Sequence, residues 1–337
     1  MKTDLEKTQH YTVYKNKICN GLLGYIPEDA VLVEPFVGAG DLLSLFPTHR
    51  WEKYDCDPKI PDCVKQDTLI NVPNYRGRYV ITNPPYLAKN KAEDDLIYEL
   101  YGLDDLYKIA LKTTMQSEGG ILIIPTNFFS DKASEKIRLE FLNQFEVKRI
   151  NIFTEPVFDS TTYSICSFAF CRIDQPKDEQ KVIIHKYPQD IEFDIKLQKE
   201  YGYRIGGEIF STFSGITPMF GRLLKNKPVK GHITRINLTT IDTRKEPFHL
   251  SFGEKAFYGK NSDRTYATLT SVIRLSEEEQ KIIVDRANEI LTQVREKYRN
   301  LLFTNYRDFD RKRVEFDFIY RLLSYIYEKE IKILKKT

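Results

Sequence analysis

Residues 31–41 read Val-Leu-Val-Glu-Pro-Phe-Val-Gly-Ala-Gly-Asp, and residues 78–86 read Arg-Tyr-Val-Ile-Thr-Asn-Pro-Pro-Tyr. Each is a short β-rich apolar run that ends in a turn, the first in Gly38-Ala39-Gly40 and the second in Asn83-Pro84-Pro85-Tyr86. Short apolar runs bounded by turn residues are the pattern of buried strands. Outward from these two, residues 51–56, 121–125, 147–153, 164–172 and 181–187 are further short strand candidates, which makes seven. Gly119-Gly120 reads as a turn leading into the run at 121–125. The polar segment 131–144 carries Ile137, Leu139, Phe141 and Leu142 at helical spacing. Strands that alternate with helices predict an α/β fold, Rossmann-like, with a mostly parallel sheet covered on both faces. In open sheets of this kind ligands bind outside the carboxyl ends of the strands. Both turns follow strands, so both are expected on one rim.

At 337 residues, 41% of them hydrophobic, the chain can build one large core and a smaller one. The pattern changes near residue 190. Residues 191–270 carry paired glycines, prolines and many Ser and Thr without helical periodicity. Ser276-Glu277-Glu278-Glu279 is a capping box that opens a helix to about Asn300. A second, aromatic-rich helix is expected from Asp310 to the end. The expected division is therefore 1–190 and 191–337, the latter an α+β/helical domain. Charge divides the same way: residues 1–190 sum to −5 and residues 191–337 to +8, within a total of +3. Between Glu208 and Asp242 there is no acidic residue, whereas Arg222, Lys225, Lys227, Lys230 and Arg235 fall there. A basic region set apart from an acidic one suits a polyanionic partner; an ordinary solvated surface accounts for it equally well.

No run of about 18 apolar residues exists, so no membrane partner is expected. The N-terminal stretch is polar and has no apolar core of a secretory signal, so the expected location is cytoplasmic. The five cysteines, Cys19, Cys56, Cys63, Cys166 and Cys171, form no CxxC pair and have no clustered histidines. They read as free thiols in a reducing compartment, and no metal site is expected.

The glycine turn is not continued as GxGxxG and is not followed by Lys-Ser/Thr, so a dinucleotide or P-loop phosphate site is not supported. Glycines at a strand-to-helix turn let the backbone approach a ligand closely. Glu34, at the strand end, puts a carboxyl group beside that turn. Such a group repels phosphate and suits an ammonium or sulfonium centre. Asp55 and Asp57 end the next strand, where a carboxylate can accept both hydroxyls of a ribose. Asp67 follows another short segment and can accept from an adenine amino group. The second turn suits a different task. The exocyclic amine of adenine or cytosine is a poor nucleophile, because its lone pair is delocalised into the ring. Two acceptors, the Asn83 side-chain oxygen and the Pro84 carbonyl, can each take one amino hydrogen and free that lone pair. Pro84 and Pro85 stiffen the turn. Tyr86 offers a face on which a base can stack.

Glu-Pro-Phe-Val-Gly-Ala-Gly at 34–40 followed by Thr-Asn-Pro-Pro-Tyr at 82–86 resembles the amino-group DNA methyltransferases, in particular N6-adenine enzymes of type II restriction–modification systems. The resemblance covers about residues 8–187. It implies a seven-stranded methyltransferase sheet, S-adenosylmethionine as cofactor, and double-stranded DNA as partner. By the resemblance, the loop of Glu34, Phe36, Gly38 and Gly40 wraps the methionine part of the cofactor. Asp55, with Cys56 beside it, holds the ribose; Asp67 lies near the adenine; Thr12 and Asn83 reach the methionine end. Asn83, Pro84, Pro85 and Tyr86 form the catalytic turn, and Phe158 packs on a flipped-out base. The glycine turn precedes the catalytic turn by about 45 residues, which leaves no room for a recognition domain between them. Recognition then falls to residues 191–337, as in the γ arrangement. Candidates there for DNA contact are Arg204, Arg222, Lys225, Lys227, Arg235 and Arg264. A cognate restriction endonuclease is a further implied partner, and the tail's shortness leaves monomer and homodimer both open.

The same two turns would serve an RNA methyltransferase acting on an exocyclic amine of adenine or guanine. Enzymes that methylate a glutamine amide in protein carry a similar tetrapeptide but place extra domains before the glycine turn. Here about 30 residues precede it and about 150 follow the last strand candidate, which disfavours that reading. A nucleic-acid-binding protein without catalysis would need neither turn.

Overall fold

The apolar runs become the strands of one large sheet. In the computed structural model the described residues are 12, 14–158, 163–224, 227–254, 265–306 and 310–334. The sheet comprises β1 (Val31–Glu34), β2 (Arg50–Asp55), β3 (Val64–Lys65), β4 (Tyr79–Thr82), β5 (Gly119–Pro125), β6 (Phe145–Phe153), β7 (Ile165–Arg172), β8 (Glu179–Tyr187) and β9 (Ile191–Gln198). Their spatial order is β3-β2-β1-β4-β5-β7-β6-β8-β9. The α/β expectation holds, but the sheet has nine mixed strands, not seven mostly parallel ones. β3, β2, β1, β4 and β5 pair in parallel. β7 is antiparallel to both β5 and β6, and β9 is antiparallel to β8. Connection length explains the reversals. The link from Phe153 to Ile165 is too short for the helical crossover that a parallel return needs, and β8 and β9 are joined by a tight turn.

Gly119 and Gly120 are not a turn. They are the first two residues of β5, opposite Tyr79 and Val80 of β4. A Cβ on Gly120 would lie 1.8 Å from the Val80 carbonyl oxygen, and one on Gly119 2.5 Å from that of Phe170. The two glycines let three backbones meet at one end of the sheet. Beyond them Ile121, Leu122, Ile123 and Ile124 are fully buried, as a strand covered on both faces requires. The helices Leu106–Thr113 and Glu135–Leu142 lie over the sheet. Asp105 caps the first of these by accepting from the Tyr107 N–H.

The chain divides into two compact units, the first of residues Met1–Arg204 with Asp308–Asp310, the second of Ile205–Arg307 with Arg311–Thr337. The first unit thus extends past 190, because β9 completes its sheet. Arg138 reinforces this. Only 1% exposed, it donates to the carbonyls of Phe128, Asp131 and Gly202. Burial, then Arg204, lowers its pKa to about 10, so it stays charged at neutral pH.

The second unit contains a four-stranded antiparallel sheet of β10 (Phe220–Arg222), β11 (His232–Thr239), β12 (His249–Phe252) and β13 (Tyr266–Ser271), in the order β10-β13-β11-β12. The helix Glu277–Lys297 packs on β11 and β12. Its capping box is complete: Ser276 Oγ accepts from Glu279 N, and Glu279 returns a carboxylate to Ser276 N. Arg295, near the end of this helix, pairs with Asp242 at 2.6 Å and stacks over Phe248. The expected second helix starts later than Asp310. Residues Lys312–Arg313 form β15, paired with β14 (Thr304–Asn305), and the helix runs over Phe316–Ile326 before a π-helical turn at Tyr327–Ile331. No described helix is long and apolar enough to cross a membrane.

Candidate active site

The carboxyl ends of β1, β2 and β4 lie side by side, since β1 pairs with both of the others. The segments that leave them enclose a cavity of about 270 Å³. Both turns singled out in the sequence reach it.

Gly38 and Gly40 have φ of +53° and +80°, a left-handed backbone that glycine adopts without strain. Gly38 lines the cavity, and a Cβ there would meet nothing within 4 Å, so its backbone faces open space. Gly40 does not line it; it packs against Leu43 and Ile60 and starts the short helix Asp41–Leu45. The turn is held from β2. Asp55 Oδ2 accepts from Gly38 N at 2.8 Å, and its Oδ1 accepts from Asp57 N at 2.8 Å. Each oxygen retains a second lone pair. Thr68 Oγ1 donates to the Pro35 carbonyl at 3.0 Å, tying the segment after β3 to the same turn. Asp67 lines the cavity and accepts from Leu69 N at 3.0 Å.

Glu34 lines the cavity but is 2% exposed. Its Oε1 accepts from Thr82 Oγ1 at 2.5 Å and from Phe36 N at 3.2 Å. Burial outweighs these bonds and raises its pKa to about 8. Glu34 is therefore mainly protonated at neutral pH in the ligand-free protein, and a bound cation would draw its proton off. Cys56 lines the cavity too; burial, then the Asp55 and Asp67 carboxylates, push its thiol up, so it stays neutral.

Asn83 and Thr12, far apart in the chain, meet at the cavity. Asn83 Nδ2 lies 3.1 Å from Thr12 Oγ1, and Asn83 Oδ1 lies against the Tyr86 hydroxyl. Pro85 lines the cavity, whereas Pro84 and Tyr86 do not. The Tyr86 ring packs edge-on against Tyr107, and its hydroxyl reaches the Ile123 carbonyl at 2.6 Å. Phe158 is 3% exposed and lies in the apolar cluster against which Tyr86 packs, outside the cavity lining. The structure thus brings together Thr12, Glu34, Phe36, Gly38, Asp55, Cys56, Asp67 and Asn83, and sets Gly40, Pro84, Tyr86 and Phe158 just behind.

Among the lining residues that were not singled out in the sequence are Leu69, Leu106 and Lys59. Phe36 faces the cavity with Leu69 and Leu106, an apolar trio that can sandwich a flat ring. Leu106 was legible as the first residue after the Asp105 cap. Among the described residues of the lining, Lys59 is the one lysine or arginine, and it is paired with Asp57 at 2.5 Å. Against Asp41, Asp55, Asp57 and Asp67, the cavity suits a cationic ligand with a flat apolar part and disfavours a phosphate. Among the described residues no group of His, Cys, Asp and Glu could hold a metal ion.

No family model matches the chain, and no curated protein matches it. Solved structures do. A modification subunit assigned to a type I restriction enzyme from Vibrio vulnificus matches at 14% identity and TM-score 0.44, over 55% of this chain and 49% of its own. The methyltransferase subunit of a type I restriction–modification system from Streptococcus thermophilus matches at 13% and 0.35, over 53% and 47%. The M protein of the type I restriction enzyme EcoKI matches at 12% and 0.39, over 98% and 72%. The chain spans about half the length of the first two. It is similar in structure to methyltransferases of restriction–modification systems. At these identities and TM-scores the likeness is one of chain trace, and the chemistry has to come from the side chains.

Proposed function

We propose that this protein transfers a methyl group from S-adenosylmethionine to an exocyclic amino group of a nucleic acid, and that the acceptor is N6 of a flipped-out adenine in duplex DNA. One observation carries the reading: the Asn83-Pro-Pro-Tyr86 turn and the glycine turn, about 45 residues apart, open on one acidic cavity. A single-site binding module has no use for a rigid double-acceptor turn beside such a cavity.

The cavity lining fits the cofactor. Asp55, already fixed by two backbone N–H groups, has lone pairs left for ribose hydroxyls. Phe36, Leu69 and Leu106 offer an apolar slot for the purine, with Asp67 beside Leu69 as an acceptor. The open face of Gly38 admits the chain between ribose and amino acid. Glu34 ionises against a cation. When bound, S-adenosylmethionine supplies an electrophilic methyl group on its sulfonium.

The protein's own part is positioning. Asn83 Oδ1 and the Pro84 carbonyl each accept one hydrogen of the target amine, which localises its lone pair for attack. β4, paired in parallel with β1 on one side and β5 on the other, holds this turn still, so little reorganisation remains for the reaction itself. The base has to leave the duplex, because its amine cannot reach a cavity at the sheet rim from within the stack. With β9 in the catalytic sheet, the proposed recognition region is the second unit, from Ile205 onward, with exposed lysines on phosphates.

Incubation with tritiated S-adenosylmethionine and unmethylated genomic DNA, followed by nucleoside analysis, tests this. Label in N6-methyladenine is the expected result. Label confined to RNA would replace the substrate, and no transfer to any nucleic acid by a protein that binds the cofactor would overturn the reading.

A further inference from the structure

Three exposed aliphatic side chains gather at one end of the sheet in the second unit. Val229 is 45%, Ile233 55% and Val272 62% exposed. Phe220 of β10 and His232 of β11 both stand opposite Ser271 of β13, so the segment entering β11 and the segment leaving β13 lie together. Their backbones touch. Gly231 has φ of +81°, and a Cβ there would sit 2.2 Å from the Ser271 carbonyl oxygen. Val272 N donates to the Met219 carbonyl at 2.9 Å, and Ile273 N to Ser271 Oγ at 3.2 Å. Aliphatic side chains scattered over a surface are ordinary, but these three share one pinned end of a sheet. Two of them, Val229 and Ile233, line a cleft of about 460 Å³ together with Ile273 and Arg274.

Cations accompany them. Lys227, Lys230 and Arg274 are exposed, and among the described residues none of the three is ion-paired. The carboxylates that follow are mostly committed. Glu277 and Glu254 face Arg235, and Glu279 closes the cap of its helix. Glu278 is exposed and has no such partner, so three uncommitted cations stand against one carboxylate. A surface both aliphatic and cationic suits a ligand that offers apolar groups between rows of phosphates. We propose that this end of the sheet is the part of the second unit that enters the major groove of duplex DNA, with Val229, Ile233 and Val272 against base edges and Lys227, Lys230 and Arg274 on the flanking phosphates. That groove is ~12 Å wide, admits two extended segments side by side, and presents the thymine methyl group. Cations on phosphates fix position but read no sequence, so the aliphatic contacts supply what the lysines cannot.

The inference rests on the proposed action on duplex DNA, and the test reads binding so that the two can fail separately. Duplexes selected from a random pool by binding to the full-length wild type serve as the probe, and their affinity is followed through a salt titration. The double variant Ile233→Ser with Val272→Ser changes no charge. Its affinity should fall ~10-fold, the scale of one lost base contact, while the salt slope stays as in the wild type. Arg274→Gln should lower that slope by about one. Melting temperature and S-adenosylhomocysteine affinity should match the wild type in both. Arg274→Gln removes a side chain that packs on nothing charged, so it decides the case alone if the double variant melts early. Wild-type affinity and slope in the variants would overturn the proposal, as would a wild type for which no duplex can be selected. A wild-type dimer that the double variant turns into a monomer, with DNA affinity kept, would make this end an interface between copies and overturn it too. Weakened binding in a protein that methylates no nucleic acid would sink the proposed function and leave the surface standing. Methylation of DNA with both variants binding as the wild type does would sink the inference alone.

Discussion

Glu34 carries the least expected chemistry of any single residue here. A carboxyl group at the end of β1 reads in the sequence as a negative charge, yet its pKa in the folded protein is raised from 4.5 to about 8 by burial. The linkage follows directly. Below pH 4.5 the group is neutral in both states. Between 4.5 and about 8 the unfolded chain gives up a proton that the folded chain keeps, so the group's contribution to stability declines across that window and levels off above it. Glu34→Gln keeps the acceptor for Thr82 Oγ1 and Phe36 N but cannot ionise. Urea unfolding should therefore show the variant gaining on the wild type as pH rises from 5 to 8, by roughly 1–4 kcal/mol in all. A difference independent of pH would show that Glu34 is not held neutral. Asn83 gives the complementary test. Asn83→Ala should slow methyl transfer by ~10²–10³, the cost of losing one preorganised polar partner in comparable sites, and leave S-adenosylhomocysteine binding within severalfold. A rate within tenfold of wild type would remove Asn83 from the chemistry. The identities of Glu34, Gly38, Asp55 and Asn83 were legible because each sits at a strand end. Their protonation and orientation were not, since both depend on Thr82, Thr12 and Tyr86 being brought close by the fold.

At the scale of elements, what was legible is what repeats locally. The runs that became β1, β4, β5, β6, β7 and β8 are short and apolar, and the capping box at Ser276 opened its helix at the expected place. Removing the cap by Ser276→Ala should cost about 1 kcal/mol in thermal or urea unfolding. β9 was legible and passed over: Ile191, Phe193, Ile195 and Leu197 alternate with Glu192, Asp194 and Lys196, the pattern of a half-buried strand. What could not be read was pairing between distant segments. Gly119-Gly120 has the composition of a turn, and only the nearness of β4 and β7 makes it strand. That nearness yields a sharp prediction. Gly120→Ala would set a methyl group 1.8 Å from the Val80 carbonyl oxygen, with backbone on both sides and no side chain free to yield. Destabilisation at or above the ~1–3 kcal/mol usual for overpacking should follow, seen as aggregation or a large fall in melting temperature. Gly24→Ala, where nothing lies within 4 Å, is the matched control and should be nearly neutral.

For the molecule as a whole, charge is the quantity that ties the second unit to the proposed reaction. Residues 191–204, which complete the first unit, are neutral in sum, so residues 205–337 carry the +8 and residues 1–204 the −5, and a polyanion meets opposite fields along one chain. Not every cation counted in the sequence is at liberty. Arg235 pairs with Glu277 at 2.6 Å and lies over Phe252, and Arg222 lies over Phe316. Lys225 and Arg264 fall outside the described residues. Lys227 and Lys230 are exposed, within the stretch that has no acidic residue. These two are therefore the better candidates for phosphate contact. Neutralised phosphates release counterions, so DNA affinity should fall linearly in log–log terms as salt rises, and each contributing lysine should account for about one unit of slope. Cofactor affinity, set inside a cavity by one or two opposed charges, should change little over the same range. The measurement uses the full chain: duplex affinity by fluorescence anisotropy between 50 and 200 mM salt, for wild type, Lys227→Gln and Lys230→Gln. Each variant should bind all duplexes more weakly by a similar factor and reduce the slope by about one. An unchanged slope in both would place the phosphate contacts elsewhere. A loss confined to one DNA sequence would instead make these lysines readers of bases, which the phosphate argument does not allow.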